Sequence, residues 1–260
     1  MLEAEKIKNI EFIRKDIIDR LLQLSSPELA ESIQRFFPYK ICCYGVKTPV
    51  LRQLAKEIYL NQLKSWSLRQ ILELTEALLK LSELESRLCG IFLLSQFRSQ
   101  LGKSHLNIFR RWLKSGYLDN WALIDTFSLE VIHPLVERNP GAMKELERWC
   151  RESNFFLRRA ALVSVVKTAG TKKSTPRIFS MVKKALSLSP ADDLVAKAAG
   201  WLLREAGKND STRLEKFLSE NGRRLPGVTV RYALEKFPED RKKYFLEITK
   251  NLRRHHEEKD

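Results

Sequence analysis

The chain has 260 residues, 43% hydrophobic and 30% charged, which suits one large or two small globular domains and excludes a disordered chain. Ten Gly and nine Pro are too few turn residues for a sandwich or barrel, and no run of about 18 apolar residues is present to cross a membrane. Lys and Arg number 47 against 32 Asp and Glu, a net charge of +15 that bears on partners rather than fold and points first to nucleic acid.

The opening segment, Met1-Leu2-Glu3-Ala4-Glu5-Lys6, is charged from its third residue and has no signal-type apolar stretch, which fits a cytoplasmic location. From there, apolar residues recur at intervals of three and four: Leu21-Leu22, then Leu51, Leu54 and Ile58, then Ile71-Leu72 and Leu78-Leu79, then Leu88, Ile91 and Leu94. Breaks fall at Ser25-Ser26-Pro27, Thr48-Pro49, Ser65, Ser82, Gly102, Gly116, Asn139-Pro140-Gly141, Gly170, Ser189-Pro190, Gly207, Asn221-Gly222 and Pro238. They delimit about a dozen helices of roughly ten to seventeen residues, with no alternating strand run. The expected fold class is all-α. Cys42, Cys43, Cys89 and Cys150 form no CxxC pair, so neither a metal site nor a cofactor is expected, and the adjacent pair reads as packing residues.

A weak repeat runs through the chain. Phe156–Ala161 lies 38 positions before Leu194–Ala199, Trp121-Ala122-Leu123 lies 38 before Arg159-Ala160-Ala161, and Glu85–Gly90 is a degenerate earlier copy. A HEAT-like solenoid of about six antiparallel helix pairs, curved and with a basic concave face, accounts for the length; a plain helical bundle is the alternative. Residues 1–250 would form one repeat domain and 251–260 a charged tail.

Three segments carry residues suited to chemistry. In Asp119–Asp125, Trp121 and Asp125 stand at i and i+4 and share a helix face. An aromatic edge and a carboxylate in one cleft suit a reaction that develops positive charge; a core Trp121 and a capping or ion-paired Asp125 are the plain alternative. Arg159 falls at helical spacing with Phe155, Val163 and Val166, and an arginine in an apolar stripe requires an anionic partner, either Asp125 or a phosphate. Arg158 faces elsewhere and reads as a solvated or phosphate-contacting charge. In the helix from about Pro190 to Ala206, Val195, Ala199, Leu202 and Ala206 form an apolar arc, and Trp201 points away from it. Lys197, Arg204 and Lys208 surround Trp201 at i−4, i+3 and i+7, as in a groove that meets sugar, base or phosphate. A core Trp201 with snorkelling neighbours is equally open.

Asp119–Asp125 (DNWALID), Asn154–Ala161 (NFFLRRAA) and Lys197–Glu205 (KAAGWLLRE) resemble the DNA alkylation repair proteins of the AlkD-like, HEAT-repeat superfamily, and Gly45–Arg52 (GVKTPVLR) resembles that family's early G-x-x-x-P-x-x-R segment. The resemblance covers about residues 10 to 250. It implies a glycosylase that removes cationic alkylated purines, typically 3-methyladenine and 7-methylguanine, from double-stranded DNA without flipping the base; a solenoid that encircles DNA can work as a monomer, which is the expected state. Trp121 and Trp201 would flank the damaged nucleotide's sugar, Asp125 would be the catalytic carboxylate, and Arg159 and Arg204 would hold the backbone. Arg158, Lys197, Lys208 and Lys47 complete the expected DNA contacts, Lys47 at a place where glycosylase members carry an uncharged polar residue.

The chemistry agrees with that assignment. An N-alkylated purine already carries positive charge and departs without a general acid. The oxocarbenium-like sugar left behind needs a carboxylate and is helped by indole faces. No residue marks a Schiff-base lysine, so the expected enzyme is monofunctional. Two other classes stay in view: a non-catalytic binder of branched or damaged DNA, and a protein–protein scaffold. Leu225-Pro226-Gly227-Val228 lacks the second glycine of a helix-hairpin-helix motif, Thr229 standing there, and reads as a turn opening a helix near Val228. His255-His256, in the charged tail, makes a poor metal site and reads as part of a solvated terminus.

Overall fold

The computed structural model describes residues 2–170, 175–188, 192–208 and 210–257. These residues are predominantly helical, with no strand among them and one isolated parallel bridge between Cys42 and Glu83. The chain forms two compact units, Met1–Arg138 and Asn139–Asp260.

In the first unit, α1 (Leu2–Gln23) buries Ile13, Ile17 and Leu21, a stripe at intervals of four. Ser26 caps α2 (Pro27–Gln34) by accepting the Leu29 N–H. α3 (Thr48–Ile58) turns Leu51, Leu54, Ala55 and Ile58 inward. α4 (Leu68–Leu79) opens with a reciprocal capping box between Ser67 and Gln70. The unit is built around α5 (Leu84–Gln96), buried from Leu84 through Ser95. A helix covered on all sides needs apolar or satisfied residues around its whole circumference, so α5 has no polar face. Gly90 lets it approach α4, where an added Cβ would stand 3.1 Å from the Leu78 Cβ. α6 (Leu106–Lys114), α7 (Trp121–Phe127) and α8 (His133–Arg138) complete the unit.

The second unit holds α9 (Met143–Trp149), α10 (Phe155–Val163), α11 (Thr175–Leu186), α12 (Asp193–Gly207), α13 (Ser211–Asn221), α14 (Gly227–Ala233) and α15 (Glu239–Glu257). Val195, Ala199, Leu202 and Ala206 of α12 are buried, as their spacing predicts. α14 lies so close to α12 that a Cβ on Gly200 would meet the Thr229 carbonyl oxygen at 2.7 Å. The Thr229 hydroxyl closes that contact by donating to the Ala196 carbonyl at 2.8 Å.

Most expected breaks separate helices, and the turn before Val228 opens α14 at Gly227. Helix lengths depart from expectation. α7, α9 and α14 have seven residues each, whereas α1 has 22 and α15 has 19. Part of the shortening is a wider π-helical turn at Ser128–Ile132, which divides the continuous helical path from Trp121 to Arg138. Side-chain-capped starts recur at Asn120, Asn154 and Asp192, 34 and 38 positions apart, so the caps follow the 38-residue spacing between α10 and α12 but not between α7 and α10, where Trp121 is matched by Phe155 rather than Arg159. Cys42 is exposed, which corrects its expected packing role; it sits in the loop before α3, whereas Cys89 and Cys150 lie in the cores. α15 takes in the backbone of 251–257; the side chains of His255 and His256, and the Ser189-Pro190 break, lie outside the described residues.

Candidate functional site

α7 begins where Asn120, 1% exposed, turns its Oδ1 onto the Leu123 N–H at 3.1 Å. A side-chain cap of this kind contributes about 1 kcal/mol and sets the rotation of the helix that follows. Leu123, Ile124 and Phe127 then face the core. Trp121 and Asp125, one turn apart, are both half-buried on the wall of a cleft of about 340 Å³. The indole is stacked on Phe37, with ring centroids 5.4 Å apart and planes 21° from parallel. Trp121 is therefore neither a core residue nor freely rotating.

The same cleft brings in residues that sequence spacing left unassigned. Phe36 stands at its mouth, 71% exposed. Glu130 lies on the π-helical turn and accepts a bond from Arg52 Nη2 at 2.9 Å. In an α-helix, a residue five positions after Asp125 would point about 140° away. The wider turn re-aims it, which α-helical spacing cannot reveal. Arg52, the last residue of the early motif, also lies 4.4 Å from the Phe92 ring centroid, so its guanidinium is held by a carboxylate and an aromatic face together. The cleft thus combines an aromatic, largely apolar wall with three acidic residues, Glu85, Asp125 and Glu130, of which Glu130 meets Arg52. Lys47, at the N-cap of α3, is exposed.

The second unit carries the other sequence candidates. Trp201 is half-buried on α12, opposite the apolar arc, so part of it reaches the surface. The basic stripe beside it is laced with carboxylates. Lys197 Nζ meets Asp193 at 2.6 Å, Arg204 meets Glu205 at 3.3 Å and also Glu235, and Lys208 Nζ meets Glu205 at 2.5 Å. The Arg204 guanidinium holds the Glu235 carboxyl below its usual range. These cations are tethered rather than freely extended. The unit as a whole remains strongly basic: residues 139–260 contain 27 Lys and Arg against 16 Asp and Glu, whereas residues 1–138 contain 20 against 16.

Arg159 is 6% exposed, as its apolar stripe predicts, and its Nη1 donates to the Leu194 carbonyl at 2.5 Å, tying α10 to the first turn of α12. Arg158 is a correction. Expected as a solvated or phosphate-contacting charge, it is 4% exposed, with Nη1 donating to the Ala185 carbonyl at 3.1 Å. Burial lowers its pKa from the usual arginine value. α10 is covered on two sides by α11 and α12, so consecutive residues that helical spacing separates are both enclosed.

A family model described as DNA alkylation repair enzyme matches residues 17–237. Among solved structures, one described as "Predicted DNA alkylation repair enzyme from Enterococcus faecalis" superposes with a TM-score of 0.71, covering 83% of this chain and 97% of that chain at 17% identity, a likeness of fold. None of the curated proteins matches the chain.

Proposed function

The chain belongs to the DNA alkylation repair enzyme family, and from that premise we propose that it is a monofunctional glycosylase acting on cationic N-alkylated purines in duplex DNA. One observation carries the reading: Asp125 and Trp121 share a cleft wall, with the indole braced on Phe37. A half-buried carboxylate beside an aromatic face suits a positive centre better than a neutral or anionic one.

In this reading the C1′–N bond of 7-methylguanine or 3-methyladenine breaks with its electron pair going to the base, which leaves neutral. The Asp125 carboxylate and the Trp121 indole stabilise the cationic sugar. Water then adds at C1′ and releases a proton, and the products are free base and an abasic site. Because the base is already charged, it needs no protonation; as the family resemblance implies, the lesion stays in the duplex rather than being flipped into a pocket. The cations of the second unit, among them Lys197, Arg204 and Lys208, neutralise backbone phosphates on a helix-pair repeat scaffold, and Trp201 meets sugar. Arg159 braces α12 through the Leu194 carbonyl, while Arg158 belongs to the framework of its unit. The protein works as a monomer.

The test is incubation with duplex DNA containing 7-methylguanine, followed by assay of free base and abasic sites. No release from 7-methylguanine or 3-methyladenine DNA, alongside retained DNA binding, would replace this reading with a non-catalytic binder of damaged or branched DNA.

A further inference from the structure

We infer that Glu85 and Arg87, two residues apart on α5, are positioning residues that set the two walls of the Trp121–Asp125 cleft. The inference rests on the reading above, because it concerns the same cleft.

Glu85 is 1% exposed. Its Oε1 accepts the N–H groups of Gly45 at 2.9 Å and Val46 at 3.1 Å, and its Oε2 accepts that of Tyr44 at 2.9 Å. Three successive backbone donors converging on one anion form a nest, which Gly45 permits by adopting φ +79. The loop is anchored in turn: the Tyr44 carbonyl accepts the Ser26 N–H at 3.0 Å, and Ser26 is the cap of α2. α2 leads into Phe37, the residue on which Trp121 stacks. Val46, the last donor of the nest, and Thr48 beyond it line the cleft directly, as does Glu85 itself. A buried carboxylate is costly unless its oxygens are satisfied, and here backbone amides satisfy them. The charge orders a loop.

Arg87, 7% exposed, serves the other partner of the Phe37–Trp121 stack. Its Nη1 meets Asp119 Oδ1 at 2.8 Å and its Nη2 donates to the Ser82 carbonyl at 3.0 Å. Asp119 Oδ1 also accepts the Asn120 side-chain N–H at 3.0 Å, and the Asn120 oxygen caps α7. The bonds run from Arg87 through Asp119 and Asn120 to the turn that carries Trp121 and Asp125. A single buried helix therefore holds both the partner of the indole and the indole itself. A displacement of about 1 Å in a reacting geometry can cost about 100-fold in rate, so loosening either wall should slow chemistry before it weakens binding.

The experiment is single-turnover release of 7-methylguanine by the full chain, with the dissociation constant of the damaged duplex measured beside it. Glu85→Gln turns an NH₂ toward backbone donors; its release rate should fall about 10- to 100-fold while the dissociation constant stays within about threefold. Glu85→Asp keeps the charge but is one methylene shorter, should give an intermediate rate, and carries the test should Glu85→Gln fail to fold. Asp119 is half-exposed, so Asp119→Asn should fold and should also slow release. Combined with Arg87→Gln it should be no slower than the slower single variant, because the two act in one chain. Wild-type rates in folded Glu85 and Asp119 variants, or additive losses in the Arg87 and Asp119 cycle, would overturn the inference while leaving the glycosylase reading intact. Absence of release by the unaltered protein would overturn both.

Discussion

Asp125→Asn removes a charge and keeps the shape of the side chain. Asp125 is half-buried on the wall of an open cleft, so its field is neither fully screened nor that of a dry interior. Two unit charges about 4 Å apart interact by about 1 kcal/mol in water and about 4 kcal/mol near a protein surface. The sugar carries its full charge only near the transition state, so this difference falls on the barrier. A loss of about 1.4–4 kcal/mol corresponds to a 10- to 1000-fold slower release of 7-methylguanine. Release of the more labile 3-methyladenine should slow less, because its departure needs less help. Binding to undamaged duplex should hold or tighten slightly, since a negative charge close to the phosphates is gone. The assay is single-turnover base release, run beside a thermal melt of the same preparation. A purely structural Asp125 would make activity and melting temperature fall together. Full release by a folded Asp125→Asn protein would refute the assignment.

Trp201→Ala should slow excision while costing less than the about 3–5 kcal/mol typical of a core tryptophan, because the side chain is not fully buried; a chemical denaturation curve checks the second point. Gly45→Ala should destabilise by more than the roughly 1–2 kcal/mol of a left-handed residue, because its Cβ would also stand 2.0 Å from the Ser26 carbonyl oxygen; a thermal melt close to that of the unaltered protein would contradict the loop geometry. Binding to undamaged duplex should weaken with salt at a log–log slope of about −0.9 per neutralised phosphate, and a flat titration would remove the electrostatic footprint read from the +15 charge. Burial alone would raise the Glu76 carboxyl, but bonds from Trp112, Lys80 and Arg111 outweigh it and hold its pKa below the ordinary 4.5. Its contribution to stability is therefore complete above about pH 4.5 and is lost as pH falls through the lower folded value; acid melts of Glu76→Gln should lack that component.

Much of this protein is legible in one dimension. Apolar spacing of three and four, broken by Ser, Pro and Gly, determines that the chain is helical, because a helix face is a local property of period 3.6. The same arithmetic places Trp121 beside Asp125 and turns Trp201 away from Val195, Ala199, Leu202 and Ala206. Spacing cannot say what covers a face. Arg158 reads as a solvated charge by its register beside Arg159, yet the packing of α11 and α12 around α10 encloses both. Glu130 joins the Asp125 cleft because a π-helical turn changes the angle between them. Phe37 reaches Trp121, and Glu85 gathers the amides of Tyr44, Gly45 and Val46, across 84 and about 40 positions of chain. Such contacts depend on how α2, α5 and α7 settle against one another, a matter of side-chain volume and of satisfying buried polar groups that no local pattern encodes. Residue types and faces were thus determined by the sequence itself; which of them meet, and which charges are left exposed, was decided by packing.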